Sequence, residues 1–198
     1  MSNNPNHPIK GSNVTVQPIR ELKDIRAISK LLEGSPRNRL LFITGINNGL
    51  RCSDLLKLKV ADVKNLKVGE TLTIKENKTG KANIFAVNKS VYKALKNYLA
   101  TSRPGADGYL FASRKGDGPL QTIAVNKLIK SWARAVNLKG NYGANSLRKS
   151  WGYHQRVNFG VPVELLCKRY NHSSPAITFR YIGIEDKEIH NILMNEIS

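Results

Sequence analysis

Six polar side chains in this sequence have the types that chemistry at a phosphate would need, and each also has an ordinary use. Arg51 lies in Gly49-Leu50-Arg51-Cys52-Ser53-Asp54, after a helix-breaking glycine and before a new helix, which fixes its guanidinium near an inter-helix corner. There it can offer two parallel hydrogen bonds to phosphate oxygens, or pair with Asp54 within the chain. Arg148 is a candidate for a second clamp on the same phosphate. Two pre-aligned arginines would stabilise the extra equatorial charge of a five-coordinate transition state. Lys78, with Lys75 and Lys81 nearby, is a mobile cation that either protonates a leaving oxygen or touches phosphate. Asn145 can donate a hydrogen bond or cap the helix that follows, but its amide is neither acid nor base near neutral pH. His172, in Tyr170-Asn171-His172-Ser173-Ser174-Pro175, can donate to phosphate, exchange protons or serve as a local hydrogen-bonding residue. Tyr181 closes the run Phe179-Arg180-Tyr181-Ile182-Gly183. A phenol with an unperturbed pKa of about 10 is a weak nucleophile, and it needs surrounding cations or a base to act as one. Without them, Tyr181 is a packing residue.

The elements that must position these groups are mostly helical. Residues 1–19 combine Pro5, Pro8 and Pro18 with Asn and Gly and read as an extended arm. A helix follows with Leu22, Ile25, Ile28 and Leu31 or Leu32 on one face, and Gly34-Ser35-Pro36 breaks it. Pro36 opens the next helix, which carries Leu40, Leu41 and Ile43 toward Gly45 and Gly49. A short helix contains Asp54, Leu55 and Leu56, with Ser53 as its expected cap. Leu72 and Ile74 alternate with polar residues on one side of Asn77-Lys78-Thr79-Gly80-Lys81, and Ile84 and Ala86 do so on the other. That pattern predicts an antiparallel hairpin with a Lys-rich turn. Val91, Ala94, Leu95, Tyr98 and Leu99 return to helical spacing, and Thr122 to Ala135 is another helix. Gly105 to Gly118 is loop-rich, with an apolar island at Tyr109, Leu110 and Phe111. From Ser146 onward the chain is helical, interrupted at Phe159-Gly160-Val161-Pro162, and ends in an apolar stripe of Ile189, Ile192, Leu193 and Ile197. The expected class is mainly α with a small antiparallel β-sheet, in one domain.

Composition narrows the partner. The formal net charge of +18 over 198 residues exceeds what solubility needs and favours a polyanion, most simply a nucleic acid. No apolar stretch approaches membrane-spanning length and the N-terminus lacks a signal-peptide core, so no membrane partner and a cytoplasmic, nucleoid-associated protein are expected. Cys52 and Cys167 are too few and too scattered for a disulfide framework or metal cluster and read as buried thiols or helix residues. His154 reads as structural, and His7 and His190 have no suggestive company. Neither the four His nor the acidic residues have metal-ligand spacing.

Taken together, Thr44 to Leu58 (TGINNGLRCSDLLKL), ENKTGKANIFAV, NSLRKSWG and YNHSSPAITFRYIG resemble the tyrosine recombinase, or phage integrase, family over residues 18–184. The order and spacing of the four segments carry the resemblance, and the last is the most specific. It implies a tyrosine recombinase catalytic-domain fold over residues 20–184, an N-terminal arm over 1–19 and a C-terminal helical tail over 185–198 exchanged between protomers or folded on its own subunit. By the same resemblance Arg51 and Arg148 are the phosphate-binding arginines, Lys78 protonates the leaving 5′ oxygen, His172 contacts the scissile phosphate and Tyr181 forms a 3′-phosphotyrosyl bond. Asn145 stands where the family usually has His, so hydrogen bonding is kept and proton acceptance is lost. The implied cycle needs neither ATP nor metal and no cofactor. Its partners are double-stranded DNA, further copies of the chain in a tetrameric synapse, and an accessory DNA-bending or directionality factor. Integration, excision, inversion and resolution all fit. Two alternatives are a catalytically impaired DNA-binding regulator and a type IB topoisomerase-like relaxing enzyme.

Overall fold

A computed structural model describes residues 15–184, together with Met194 and Glu196. Most of the expected arm and tail therefore lie outside the described residues. Nine helices and one hairpin follow in the order α1 (Leu22–Leu31), α2 (Pro36–Asn48), α3 (Cys52–Leu55), α4 (Val60–Val63), β1 (Thr71–Lys75), β2 (Ala82–Ala86), α5 (Lys89–Ser102), α6 (Thr122–Ala135), α7 (Ala144–Val157), α8 (Val163–Tyr170) and α9 (Pro175–Ile182), counted among the described residues. The mainly α class with a small antiparallel sheet is what the sequence led one to expect.

Local chemistry sets the ends. Pro36 and Pro175 sit in the first turns of α2 and α9, where a missing N–H costs nothing. The Asn88 side chain accepts from Val91 N at 2.9 Å and caps α5. Gly49 ends α2 in the left-handed region, at φ 59°. A Cβ there would also come within 2.4 Å of the Trp151 ring, so only glycine fits. α3 departs from expectation: its N-cap is Arg51, and Ser53 lies inside the helix and makes no capping hydrogen bond.

α2 is the central element. Leu40, Leu41 and Phe42 are all fully buried, so the helix is covered on several faces, chiefly by α5 and α7. Phe42 meets Trp132 of α6 edge-to-face at 6.1 Å. Of the α1 face predicted from spacing, Ile28 is buried and Leu32 rather than Leu31 closes the stripe, while Leu22 in the first turn is nearly half exposed. Ten residues make under three turns, too short for every apolar position to reach α2 and α6. The segment before α1 runs extended and belongs to the core. Ile19 is 1% exposed, and its N–H donates to Ser150 Oγ at 2.7 Å.

The hairpin pairs Leu72 with Phe85 and Ile74 with Asn83. Its second strand has the opposite phase to the one expected, because Phe85 and Asn83 point inward while Ile84 is 48% exposed. Phe85 buries more apolar surface than Ile84 can, and Asn83 finds partners inside. A second, smaller core of Leu166, Tyr170 and Ile182 joins α8 to α9, with Trp151 and Tyr181 packed on it. α8 and α9 thereby hold the last two candidate residues against α7.

Candidate active site

Arg51, Lys78, Asn145, Arg148, His172 and Tyr181, separated by up to 130 positions in sequence, line one cavity of about 530 Å³. They arrive from five places: the start of α3, the hairpin tip, the first two turns of α7, the α8–α9 turn and the last turn of α9.

Arg148 is 2% exposed, and its guanidinium links two helix ends. Nη1 donates to Gly49 O at 2.7 Å and Nη2 to Tyr170 O at 3.2 Å, so the cation sits at the negative C-terminal ends of α2 and α8. It also lies 4.5 Å from the centroid of the Tyr170 ring. In return the Tyr170 hydroxyl donates to Arg148 O at 2.7 Å. A Cβ on Gly152 would fall 2.2 Å from that hydroxyl, so this close approach of α7 and α8 requires glycine. Burial lowers the pKa of Arg148 and the charge of Arg51 adds to that, while Tyr181 and Tyr170 oppose it. An arginine remains a cation under such pressure.

Arg51 does not pair with Asp54. Its Nη1 lies 2.5 Å from Glu76 Oε2, an ion pair in which the carboxylate is fully buried and the arginine side chain 21% exposed. That approach leaves Nη1 without a linear hydrogen bond. Glu76 also accepts from Thr79 Oγ1 at 2.5 Å and from Asn83 Nδ2 at 2.6 Å. Burial alone would push its pKa up, yet these hydrogen bonds and the charge of Arg51 together hold it below the usual carboxylate value. Asp54 instead accepts from Asn77 N at 2.9 Å, tying the hairpin tip to α3. Lys78 stands exposed on that tip, in the three-residue turn over Asn77, Lys78 and Thr79.

Asn145 is not the cap of α7. Gly143 occupies that position; Asn126 Oδ1 accepts from Ala144 N at 2.6 Å and Ser146 Oγ from Gly143 N at 3.1 Å. With capping done by others, Asn145 is left exposed in the wall of the cavity. His172 Nδ1 lies 3.0 Å from Thr178 Oγ1, which leaves Nε2 as the ring's remaining polar atom. Burial lowers its pKa, and the Arg148 and Arg51 charges lower it further, all three favouring the neutral ring. Burial pushes the Tyr181 phenol up, with Arg148 and then Arg51 pulling it down. Its ring centroid is 5.2 Å from that of Tyr170 and 5.0 Å from that of His172.

Sequence reading passed over two charged residues here. Glu76 was hidden among lysines whose turn reads as a solvated surface, and its two neighbours Thr79 and Asn83 are the signal that a buried carboxylate would find donors. Lys149 is the other. It is 9% exposed on α7, and its Nζ lies 5.0 Å from the Tyr181 ring centroid. Cys52 also lines the cavity, but burial pushes its thiol up to about 12, so it is no nucleophile near neutral pH. Among the described residues no cluster of His, Cys, Asp and Glu could hold a metal ion, and no helix is long and apolar enough to cross a membrane.

An arrangement of two arginines, a lysine, a histidine and a tyrosine around one cleft can bind a phosphodiester and attack it. The phage integrase family model matches residues 19–188. The chain belongs to the phage integrase family, the tyrosine recombinases. This recombinase is 37% identical over 174 residues to YoeC, a probable integrase/recombinase of Bacillus subtilis, which covers 86% of the chain and 91% of YoeC. It is 28% identical over 168 residues to the tyrosine recombinase XerA of Pyrococcus furiosus, covering 82% of the chain and 57% of XerA. Among solved structures, the XerH site-specific recombinase bound to its palindromic difH substrate in a post-cleavage complex matches with a TM-score of 0.73. That likeness, at 22% identity over 90% of the recombinase and 51% of XerH, establishes the shared fold. The chain thus spans nearly all of YoeC but little more than half of XerA and XerH. By family it is a DNA-binding enzyme of site-specific strand cleavage and rejoining.

Proposed function

We propose that Tyr181 attacks a DNA phosphodiester held between Arg51 and Arg148, forming a 3′-phosphotyrosyl bond and releasing a 5′ hydroxyl. The convergence of all six residues on one cleft carries this reading. Arg148, fixed by two carbonyls, and Arg51, fixed by Glu76, meet the phosphate without reorganising, which is the condition for stabilising the charge of the transition state. Lys78, on an exposed turn tethered through Asp54, follows the leaving 5′ oxygen and gives it a proton. His172 donates to a phosphate oxygen through Nε2–H, in the tautomer whose Nδ1 accepts from the Thr178 hydroxyl, and Asn145 contributes a hydrogen bond but takes no proton. Rejoining reverses the steps with the 5′ hydroxyl of a partner duplex, and the phosphotyrosyl ester conserves the bond energy. Residues 20–184 act as the catalytic unit. Copies of the chain assemble on double-stranded DNA as a tetrameric synapse, with an accessory DNA-bending or directionality factor setting the outcome.

The test is incubation of a nicked suicide duplex, carrying the sequence that flanks the gene, with the parent protein and with Tyr181→Phe. A denaturant-resistant protein–DNA adduct is expected from the parent alone. Absence of an adduct from a parent that demonstrably binds that duplex would overturn the cleavage reading and leave a DNA-binding regulator. Relaxation of supercoiled DNA lacking paired sites would favour a topoisomerase instead.

A further inference from the structure

The cations around Tyr181 are not equivalent. The residues that face it with charge or a titratable group are Arg148 and Lys149 of α7, Tyr170 of α8, His172 of the α8–α9 turn and Arg51 at the start of α3. Arg51 shares its charge with Glu76, and Arg148 is bonded to the carbonyls of Gly49 and Tyr170. In the proposed reaction both arginines also face the phosphodiester anion, which counters their charge when the phenolate must form. Lys149 stands apart from that arrangement. Its Nζ lies over the ring of Tyr181, 5.0 Å from the centroid, and it has no acidic partner or hydrogen-bond acceptor among the described residues. A lysine only 9% exposed with no carboxylate to neutralise it calls for an explanation.

We propose that Lys149 is a positioning residue for the nucleophile: its ammonium holds the Tyr181 ring by the face and supplies the positive charge that favours phenolate once phosphate has occupied the arginines. A cation over an aromatic face is attracted by the ring's negative quadrupole, and ionising the phenol makes that face more negative. Lys149 keeps its three protons throughout. The Tyr181 O–H bond breaks, its proton passes to water in the cleft, the phenolate oxygen bonds to phosphorus, and the P–O5′ bond breaks as Lys78 protonates the leaving oxygen. This route needs no side-chain base, which suits a site whose Asn145 cannot accept a proton. Burial lowers the Lys149 pKa, and an ammonium held against that penalty is where a favourable ring contact has most effect.

The catalytic consequence rests on the proposed function, but the effect on the phenol does not, so the two are measured separately. Biosynthetic 3-fluorotyrosine brings phenol titration to lower pH, where the protein stays folded, and ¹⁹F NMR resolves the seven tyrosines. Tyr181→Phe assigns the signal. Without DNA, the Tyr181 signal is expected to titrate at higher pH in Lys149→Met than in the parent, and at the parental pH in Lys149→Arg, which keeps the charge. On the nicked duplex, cleavage by Lys149→Met is expected to slow about tenfold at pH 7, with its pH–rate profile displaced upward and Lys149→Arg close to the parent. Lys149→Gln replaces the Met variant if melting shows that Met disrupts α7. A parental titration in a folded neutral variant, or failure of the folded Arg variant to restore it, would overturn the proposal. The expected NMR shifts with no adduct from any protein would overturn the cleavage reading and leave the Lys149–Tyr181 coupling standing.

Discussion

Replacing Glu76 by Gln keeps the outline of the side chain and removes a charge from a buried place where every neighbour is a donor. Oε1 accepts from Asn83 Nδ2, while Oε2 takes Thr79 Oγ1, the weaker Asn171 Nδ2 at 3.4 Å and the Arg51 guanidinium. An amide offers one acceptor oxygen and one donor NH₂. With its NH₂ in the Oε2 place, the Thr79 hydroxyl can turn to accept, but Arg51 meets a donor. With its NH₂ in the Oε1 place, Asn83 would have to flip, and its Oδ1 is already committed to Arg169 and to Ile84 N. In both orientations Arg51 loses its counter-charge. Breaking a buried ion pair costs roughly 3–5 kcal/mol, and the partial exposure of Arg51 reduces that to about 2 kcal/mol. In a chain of this size that is a fall in Tm of about 4–8 °C at pH 7.

The pH dependence gives a sharper signature. The Glu76 pKa is depressed in the folded protein, so its contribution is complete above the unfolded value, roughly 4.3, and is lost as pH falls through the folded value. The Tm difference between parent and Glu76→Gln should therefore be largest near neutrality and shrink below about pH 4. Cleavage should fall more than DNA binding, because Arg51 is still present but no longer fixed. Differential scanning calorimetry from pH 3 to 8, with adduct formation on the nicked duplex, measures both. A variant that melts within a degree of the parent at pH 7 and cleaves at the parental rate would show that Glu76 neither stabilises the site nor positions Arg51.

Gly49→Ala places a Cβ in the left-handed region and against Trp151, so a loss of about 3 kcal/mol is expected, read as a lower midpoint in urea unfolding. His154 is buried with Nε2 2.9 Å from Ile19 O and Nδ1 2.9 Å from Asn158 Nδ2, a neutral-ring arrangement, and burial lowers its pKa. Its contribution is present above the unfolded value, about 6.5, and lost as pH falls through the folded one, so Tm should drop between pH 7 and 5. His154→Gln should flatten part of that drop, with His172 titrating in the same direction and supplying the rest. The net charge of +18 predicts DNA binding that weakens by about 10³-fold or more between 50 and 200 mM salt if six or more phosphates are contacted. Fluorescence anisotropy against salt concentration checks the slope.

Helices with strong apolar spacing were legible from sequence because burial of one stripe is a local instruction. Thr122–Ala135 matches its expected span residue for residue, and of the α5 residues the spacing selects, Val91, Ala94, Leu95 and Tyr98 are buried and Leu99 is partly so. The hairpin's existence was equally legible, but not the facing of β2. Alternation in Ala82-Asn83-Ile84-Phe85-Ala86 is compatible with either face inward, and the decision came from tertiary partners. Asn83 could be buried because Glu76 and Arg169 satisfy it, and neither partner is visible from the strand itself.

The same distinction separates the six residues that spacing and resemblance picked out from the two that they missed. Arg51, Lys78, Asn145, Arg148, His172 and Tyr181 stand in segments with a recognisable order, so their convergence on one cleft could be anticipated before any distance was known. Glu76 and Lys149 act by what they face. A carboxylate becomes an anchor for Arg51 only once the hairpin folds it beneath Thr79 and Asn83, and a lysine faces the Tyr181 ring only once α9 packs on α7. Burial alone would make Tyr181 a poorer nucleophile than a free phenol, since it pushes the phenol up. In the proposed reaction the tyrosine depends on cations that oppose the burial, and those cations in turn need their own positions fixed. Arg148 is held by the carbonyl ends of α2 and α8, and Arg51 by a carboxylate at the base of the hairpin turn. The mainly helical frame thus contributes directly to the proposed chemistry, through helix ends that hold a buried guanidinium in the wall of the cleft.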